Sequence, residues 1–338
     1  MKRKYIHGKK KVLITGGAGF IGHHVVEHLI RKTNWDIIIL DKLSYASFGY
    51  ERLRSNGAYP HHRVKVFPID VTEPLTVGIR KEIGEDVNLI VHMAAESHVD
   101  NSIKNPREFF HNNIDGTVEM LEYARSLPNL EMFFYFSTDE VYGSAPEDVA
   151  YAEWDRHKPT NPYSASKSAA ENICIAYENT YSLPLMSINV MNAFGARQHV
   201  EKFIPMTIKN ILEGNKVYIH SYPNCQKAGS RFYIHARNIA AAILFLLEKG
   251  KIGEKYNIVG EREVDNLELA QFIADVVGKP LDYEMVDFHS TRPGHDLRYS
   301  LSGEKMAELG WTLPINFEDS LRSTIEWTLA NPEWLEDK

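Results

Sequence analysis

The sequence predicts an α/β protein whose first part is a doubly wound parallel sheet. Short apolar runs alternate with helical patterns over residues 11–190, which is typical of strands joined by helical crossovers. The runs are nearly continuous, as expected for strands that are buried on both faces. Polar residues follow several of them, and open α/β sheets bind ligands at the carboxyl ends of their strands. We therefore expect a ligand-binding crevice along one edge of the sheet.

Length and composition indicate a soluble globular chain of about two domains. The 338 residues are 43% hydrophobic and 25% charged, and the formal net charge is −7. Binding to a phosphate backbone needs a clustered basic face, so this charge argues against a nucleic-acid partner. The longest apolar run, residues 239–247, is shorter than the roughly 20 residues of a membrane helix. We predict no nucleic-acid partner and no membrane partner.

Cysteine and histidine usage favours a reducing compartment and argues against a metal site. Cys174 and Cys225 lack metal-ligand spacing, and no secretory leader is recognisable, so the cytoplasm is the expected compartment. Adjacent histidine pairs occur at residues 23–24 and 61–62 but cannot share one helix face, and no HExxH motif occurs. We predict no metal.

The first strand leads into a glycine-rich turn with the GxxGxxG spacing. The predicted segments are strand 11–15, the turn GGAGFIG at 16–22 and a helix over 21–30. Gly16 suits a tight turn, Gly19 lets backbone N–H groups approach a pyrophosphate, and Gly22 permits close packing of the helix on the strand. Because the motif lies between a strand and a helix, it predicts a Rossmann-like dinucleotide-binding unit.

The next strands end in residues suited to a dinucleotide. The second, residues 36–40, is followed by Asp41, which would accept hydrogen bonds from the adenosine ribose and repel a 2′-phosphate, so NAD is favoured over NADP. The third, residues 64–69, is followed by Asp70 and Val71, where an adenine edge could be held. After strand 89–92 comes the loop AAESHVDNS at residues 94–102, which we also expect to contact the cofactor.

A helical pattern over residues 106–126 precedes strand 131–136 and the motif STDEVYG at 137–143. Downstream, YSASK places Tyr163 and Lys167 four residues apart, on one face of the predicted helix. A lysine beside a tyrosine favours the phenolate, so we expect the pair to act as a base below the usual phenol pKa of about 10.

After strand 185–190 the periodicity weakens and polar and basic residues become frequent. Asn192, Arg197, Lys202 and Arg231 belong to this half, as does RPGHDLRY at residues 292–299. Several arginines in a chain of net negative charge would suit a second diphosphate.

Taken together, these motifs resemble those of NAD-dependent nucleotide-sugar 4,6-dehydratases, which are extended short-chain dehydrogenase/reductases that act on dTDP-glucose or UDP-glucose. The resemblance extends from Lys11 to about Trp327. STDEVYG is its most diagnostic part, because related epimerases and decarboxylases usually lack an aspartate at the position of Asp139. The matching motifs are GGAGFIG, LDKLSYA (40–46), AAESHVDNS, STDEVYG, TNPYSASK (160–167), EKFIP (201–205) and RPGHDLRY.

The resemblance implies a dehydration that uses NAD and regenerates it. In the family, the tyrosine of YxxxK takes the proton of the sugar 4-hydroxyl, a role that falls to Tyr163 with Lys167 beside it, and Thr138 would help to hold that oxygen. Glu140 would remove the C5 proton, and Asp139 would protonate the departing 6-hydroxyl. Two adjacent carboxyl groups in opposite roles need surroundings that separate their pKa values.

The resemblance also implies the domain division and the assembly. Residues 1–191 form the NAD-binding domain, to which a segment at about 232–252 returns, and residues 192–338 form a smaller nucleotide-sugar-binding domain. The helices over residues 106–126 and 164–181 are expected to pair in a homodimer.

Motifs and resemblance together predict two sets of ligand-binding residues. The residues expected to contact NAD are Gly16, Gly19, Phe20, Ile21, Gly22, Asp41, Lys42, Ser44, Asp70, Val71, Ala94, Ala95, Ser97, Asn113, Tyr163 and Lys167. Those expected to contact the nucleotide sugar are Ser97, Asn192, Glu201, Lys202, Arg231, Asn266, Arg292 and His295.

The chain departs from the family pattern in the substrate region. NAFGA at residues 192–196 replaces the usual NNYGP, Asn189 replaces an arginine, and the segment of residues 221–230 is longer than usual.

As substrate, dTDP-glucose is favoured over UDP-glucose, and both stay open. Two alternatives remain: a UDP-sugar 4-epimerase or decarboxylase, and a non-catalytic cofactor-bound scaffold. Asp139 argues against the first, and the complete set of catalytic residues argues against the second.

Overall fold

Seven parallel strands form the central sheet of the computed structural model, which describes residues 8–287 and 296–336. The strands of all the described residues, in chain order, are β1 (Lys11–Thr15), β2 (Asp36–Asp41), β3 (Val64–Pro68), β4 (Leu89–His92), β5 (Met132–Thr138), β6 (Leu185–Val190), β7 (Asn192–Phe194), β8 (Val217–Ser221), β9 (Ser230–His235), β10 (Lys255–Ile258), β11 (Glu263–Asp265) and β12 (Tyr283–Asp287). The order across the central sheet is β10-β6-β5-β4-β1-β2-β3, and every pair is parallel. This arrangement confirms the predicted α/β class.

Helices cover both faces of this sheet. In chain order, the α-helices of the described residues are α1 (Phe20–Lys32), α2 (Glu51–Ser55), α3 (Val77–Ile83), α4 (Val99–Lys104), α5 (Pro106–Phe110), α6 (Gly116–Arg125), α7 (Pro162–Tyr181), α8 (Phe203–Glu213), α9 (Ala236–Lys249), α10 (Asn266–Val277), α11 (Glu304–Glu308) and α12 (Phe317–Ala330). Over the described residues, none of these helices combines the length and the apolar character that crossing a bilayer requires.

The alternation of side chains along the strands creates two hydrophobic layers. In β1, Val12 and Ile14 point to one face, where they share a core with Ile243 of α9, whereas Leu13 points to the other face, where it shares a core with Leu121 of α6. Both layers exclude water from the strands, so solvent reaches the sheet at the ends of its strands.

A second, smaller unit follows β6. It contains a three-stranded sheet in the order β11-β9-β7 and the parallel pair β8-β12. Around them, α8, α10 and α12 bury a separate core that includes Phe194, Ile208, Leu269 and Leu321.

The chain rejoins the first unit after β9. Helix α9 packs against α1, and β10 pairs with β6 at the edge of the central sheet. The return therefore extends to Ile258, beyond the expected end near residue 252. Met306 of α11 belongs to the same core, so a further short piece of chain also packs there. The division at residue 191 stays a prediction.

Two element boundaries differ from the sequence prediction for identifiable reasons. The helical pattern over residues 106–126 is interrupted by a π-helical turn, His111–Asp115, between α5 and α6. Strand β5 continues two residues past Phe136, because Ser137 and Thr138 still pair with Asn189 and Val190 of β6. Thr138 is therefore the last residue of the strand rather than part of the loop.

Candidate active site

The glycine-rich turn after β1 has the geometry of an anion-binding site. Gly16 has a φ of +71°, a conformation that L side chains rarely adopt. A Cβ on Gly22 would lie 2.1 Å from the Gly16 carbonyl oxygen, so α1 can approach the turn only with glycine there. Gly19 caps α1 without a side-chain hydrogen bond, which leaves the N–H groups of the first turn available to a ligand. These features fit a pyrophosphate.

A cavity of about 260 Å³ opens at the carboxyl ends of the strands. All of the predicted cofactor residues line it except Asn113. The lining residues from that set are Gly16, Gly19, Phe20, Ile21, Gly22, Asp41, Lys42, Ser44, Asp70, Val71, Ala94, Ala95, Ser97, Tyr163 and Lys167.

Asn113 lies behind the cavity wall instead of in it. The side chain is buried in the π-helical turn, where its Oδ1 accepts a hydrogen bond from the Glu96 N–H (2.8 Å) and its Nδ2 donates to the Glu96 carbonyl (3.0 Å) and to Ser166 Oγ (2.8 Å). Asn113 therefore holds the loop after β4 in place. No hydrogen-bonding group of this side chain needs a ligand.

Asp41 is buried at the end of β2, where an adenosine ribose would be bound. Its Oδ2 accepts a hydrogen bond from the Ala18 N–H (3.0 Å), and its Oδ1 accepts one from the Leu43 N–H (2.8 Å). Burial raises the pKa of this carboxyl, and the two hydrogen bonds act in the opposite direction. A carboxylate can accept about four hydrogen bonds, so capacity remains for ribose hydroxyls.

The three polar residues at the end of β5 form one hydrogen-bonded cluster. Thr138 Oγ1 donates to Asp139 Oδ1 (3.1 Å) and accepts from the Glu140 N–H (3.3 Å). Glu140 Oε2 also lies 3.3 Å from two donors, Asn161 Nδ2 and the Tyr299 hydroxyl. The cluster therefore combines the end of a strand with the start of α7 and a segment from near the end of the chain.

Asp139 and Glu140 have different electrostatic surroundings. Burial, and then the neighbouring Glu140, raise the pKa of Asp139 to about 7. Burial also raises the pKa of Glu140, but hydrogen bonding to Asn161 and the positive charge of Arg231 oppose the rise. Asp139 can thus hold a proton near neutrality, whereas the Glu140 anion has donors and a cation to stabilise it.

Tyr163 and Lys167 lie on the first turns of α7. This helix begins with Pro162 and a capping box between Asn161 and Ser164, which fixes the direction of the two side chains. Tyr163 is buried, and its ring contacts Phe109 edge-on with the centroids 6.4 Å apart. Both side chains reach the cavity.

The expectation that Lys167 lowers the pKa of Tyr163 is wrong for this structure. Burial and the nearby Glu140 raise the pKa of the phenol, and only a hydrogen bond with Thr138 opposes them appreciably. The Lys167 ammonium instead donates to the Phe136 carbonyl (2.7 Å), and burial lowers its pKa to about 8. Additional positive charge near Tyr163 is therefore needed before it can act as a base.

The predicted substrate residues reach the site to different extents. Ser97, Glu201 and Lys202 line the cavity. The buried Oδ1 of Asn192 has no partner within residues 8–287 and 296–336, whereas the Oδ1 of Asn266 accepts a hydrogen bond from the Tyr233 hydroxyl (2.9 Å). Two further predicted residues, Arg292 and His295, lie outside the described residues.

Arg231 lies close enough to the carboxyl groups of Asp139 and Glu140 to lower the pKa of both. Its Nη1 donates to the carbonyls of Ser230 (2.7 Å) and Leu297 (2.5 Å), its Nη2 donates to the Asp296 carbonyl, and the guanidinium lies 4.7 Å from the centre of the Tyr299 ring. These contacts join β9 to the segment that follows residue 295.

Sequence reasoning missed several residues of the cavity wall. Tyr45 belongs to LDKLSYA and His98 to AAESHVDNS, so the motifs themselves could have indicated them. Arg52 lies on α2, outside every motif, and no local pattern marks it. The other missed residues are Leu40, Ala46, Ser47, Ile69, Met93, Glu96, Asn112, Phe136, Gln198 and His199.

Comparisons with known proteins agree with this geometry. A family model described as GDP-mannose 4,6-dehydratase matches residues 13–324. The chain is 36% identical over 350 residues to a dTDP-glucose 4,6-dehydratase of Shigella flexneri, covering 97% of this chain and 95% of that protein. A solved dTDP-glucose 4,6-dehydratase of Streptomyces venezuelae, with NAD bound, is similar with a TM-score of 0.86 and 34% identity, covering 96% and 99% of the two chains.

A longer relative occurs in Arabidopsis thaliana. It is a trifunctional UDP-glucose 4,6-dehydratase, UDP-4-keto-6-deoxy-D-glucose 3,5-epimerase and UDP-4-keto-L-rhamnose reductase, 37% identical over 331 residues. The match covers 97% of this chain but 48% of that protein, so this chain spans about half the length of that relative.

Proposed function

The chain belongs to the family of nucleotide-sugar 4,6-dehydratases, and from that premise we propose that it converts an NDP-glucose to the NDP-4-keto-6-deoxyglucose with NAD as cofactor. One observation carries the proposal: Thr138, Asp139 and Glu140 meet Tyr163 of α7 beside the dinucleotide cavity. dTDP-glucose is the first candidate substrate, because the bacterial dTDP-glucose relatives match over nearly their whole length. UDP-glucose is the second.

The side chains divide the proton transfers among themselves. NAD, when bound, would supply the hydride acceptor for C4 of the sugar and the hydride donor for C6. Tyr163 takes the proton of the 4-hydroxyl, and Thr138, whose side chain hydrogen-bonds with the phenol, helps to hold the 4-oxygen of the sugar. The resulting 4-ketone acidifies the C5 hydrogen, which Glu140 removes as general base.

Asp139 then protonates the departing 6-hydroxyl. A pKa of about 7 keeps a substantial fraction of this carboxyl protonated at neutral pH, and Thr138 and Glu140 hold it in position. The same Glu140 that took the C5 proton can return a proton there after the hydride reaches C6. Together with Tyr163 and Lys167 of α7, the cluster supplies a group for each of the proposed acid-base steps.

For the substrate diphosphate, we propose Arg231 and Lys202 as the positive groups. Lys202 borders the cavity on the side of the second unit, and Arg231 lies beside the catalytic carboxyl groups. A chain of net charge −7 must concentrate positive charge locally to hold a second diphosphate. Ser97, Asn192, Glu201 and Asn266 complete the proposed substrate site.

We further propose that the helices of the first unit pair in a homodimer, as expected from the sequence. Phe110 at the end of α5 and Tyr181 at the end of α7 are large apolar side chains that are 40% and 48% exposed in the single chain. Sedimentation of the purified full chain at several concentrations tests the pairing; a monomer throughout would contradict it. The cytoplasmic location stays a prediction.

Incubation with single nucleotide sugars tests the catalytic proposal. Purified protein would be given dTDP-glucose, UDP-glucose or GDP-mannose, and the products would be weighed by mass spectrometry. We expect the loss of one water from dTDP-glucose or UDP-glucose. A product of unchanged mass with inverted C4 would establish the epimerase instead, and unchanged substrate in every case would favour the non-catalytic scaffold.

A further inference from the structure

Arg52 is a fully buried arginine in the wall of the dinucleotide cavity. It lies on α2, a short helix that belongs to none of the sequence motifs, and it is 0% exposed. Charged side chains are rarely buried unless their groups are paired. Each nitrogen of this guanidinium is therefore expected to have a hydrogen-bond partner.

Two of the three guanidinium nitrogens have structural partners. Nε donates to the Arg197 carbonyl (2.9 Å), and Nη1 donates to the Ala46 carbonyl. The guanidinium also lies 4.6 Å from the centre of the Phe48 ring, which holds its plane. These contacts connect the loop after β2 with the segment that follows β7.

The third nitrogen, Nη2, has no hydrogen-bond partner anywhere in residues 8–287 or 296–336. Because Arg52 lines the cavity, a bound molecule can supply the missing acceptor. A buried donor without a partner is costly, so an acceptor from the ligand would explain why this arginine is tolerated.

The charges near Arg52 indicate which part of a bound dinucleotide would contact its Nη2. Arg52 and Asp41 interact electrostatically. The guanidinium lowers the pKa of Asp41, and the carboxylate raises the pKa of Arg52, so each favours the charged form of the other. Asp41 ends β2, the position at which an acidic residue binds the adenosine ribose, and an arginine near this position can instead accommodate a 2′-phosphate. The cavity thus contains both an acidic residue suited to a ribose, Asp41, and a basic residue suited to a 2′-phosphate, Arg52.

We propose that Arg52 is a cofactor-binding residue that donates a hydrogen bond from Nη2 to an oxygen on the adenosine ribose of the dinucleotide. Asp41 repels a 2′-phosphate, and Arg52 attracts one, so the discrimination against NADP depends on the carboxylate alone. The inference rests on the proposed use of NAD. Its test measures cofactor binding without turnover. The Arg52 proposal can therefore fail while the dehydratase proposal stands, and the dehydratase proposal can fail while the Arg52 proposal stands.

Arg52→Met tests the hydrogen bond. This substitution removes the guanidinium but keeps much of the apolar stem. Charge-assisted hydrogen bonds contribute roughly 1.5–3 kcal/mol, so we expect the Kd of the cofactor-stripped full chain for NAD to rise about 10–100-fold by titration calorimetry. Arg54→Met is the matched control, because Arg54 lies on the same helix, is exposed, and pairs with Glu51 (2.9 Å). A folded Arg52→Met protein with NAD affinity within about threefold of the wild type would overturn the proposal.

Asp41→Asn tests the same proposal without changing Arg52, which matters if Arg52→Met does not fold. With the carboxylate neutralised, the remaining guanidinium should improve NADP binding at least about tenfold. Adding Arg52→Met should abolish that gain, whereas adding Arg54→Met should keep it. No gain in NADP affinity for Asp41→Asn, or a gain that survives loss of Arg52, would contradict the proposal.

Discussion

Asp139 and Glu140 are adjacent in the chain but present their carboxyl groups to different partners. Asp139 is almost fully buried, and its Oδ2 has no hydrogen-bond partner among the described residues, so its neutral form is favoured. Glu140 accepts hydrogen bonds from Asn161 and Tyr299, which favour its anion. The acid and the base of the proposed reaction are thus separated by their surroundings rather than by residue type.

This difference predicts a bell-shaped dependence of kcat/KM on pH. Glu140 must be ionised, so the rate should fall as pH drops through its raised pKa. Asp139 must be protonated, so the rate should also fall as pH rises through about 7. In Asp139→Asn the limb near pH 7 should disappear, and the rate at the optimum should drop by the 10²–10⁴-fold typical of a lost general acid. Initial rates across the pH range measure both effects.

The matched control is Glu147→Gln. Glu147 is an exposed carboxylate that pairs with Lys227, away from the cavity lining, and its removal should leave both limbs in place. If Asp139→Asn retained the limb near pH 7, the general acid would have to be another group.

A buried network of hydrogen bonds joins β5, which ends at Thr138, to α7, β6 and β10. Asn189 of β6 donates to the Thr138 carbonyl (3.0 Å) and to Glu171 Oε2 on α7 (3.2 Å). Lys255 of β10 donates to Glu171 Oε1 (2.7 Å), and neither of these two charged side chains is more than 2% exposed. Lys255 supplies the cation of this network.

We expect Lys255→Met to destabilise the protein by about 3–5 kcal/mol, because it leaves Glu171 charged and buried without its main partner. Burial alone would raise the pKa of Glu171, yet the hydrogen bonds and charges of His157 and Lys255 lower it to about 2, so the carboxylate depends on these partners. Urea unfolding measures the loss. Adding Glu171→Gln should recover part of it, since no buried charge then remains.

Lys216→Met is the control for this measurement. Lys216 pairs with Glu284 at 3.0 Å on the surface, where solvent screens the two charges and the pair contributes little to stability. If Lys255→Met and Lys216→Met lowered the free energy of unfolding equally, the buried network would contribute no more to stability than a surface ion pair.

The sequence predicted the elements whose pattern is local and missed those that depend on distant contacts. Residues 11–15, 89–92 and 185–190 were assigned the bounds that the structure has, because a strand buried on both faces is a continuous apolar run. The short strands of the second unit were not predicted, since each is fixed by pairing with distant chain. Arg52 was missed for the same reason: its Nε donates to the carbonyl of Arg197, which lies 145 residues further along the chain, and only folding brings the two together.

At the scale of the molecule, the cavity lies between two units with separate cores. The glycine-rich turn, the residues at the ends of β2 and β4, and Phe136 of β5 form one wall. Part of the other wall comes from the start of the second unit, through Gln198, His199, Glu201 and Lys202. A sugar bound between them would pass through oxidation, loss of water and reduction without release. The proposed mechanism requires this confinement.

Isotopic labels test both the confinement and the role of Glu140. Substrate deuterated at C4 should deliver its label to C6 of the same product molecule, because the hydride does not exchange with solvent. The C5 proton passes through a carboxyl group that exchanges with water, so reaction in D2O should place deuterium at C5. Mass spectrometry of mixed labelled and unlabelled substrates distinguishes transfer within one molecule from transfer between molecules.

Glu140→Gln should separate the two parts of the reaction. Tyr163, Lys167 and the cofactor-binding residues are unchanged, so the first hydride transfer should proceed and the absorbance of NADH should rise. Without the general base, water loss should fall by about 10²–10⁴-fold, and the absorbance should persist. Solvent deuterium at C6 in the wild-type product would show that the hydride escapes the cavity. Absence of deuterium at C5 would contradict the proposed exchange of the Glu140 proton with water, even if the product were the expected ketone.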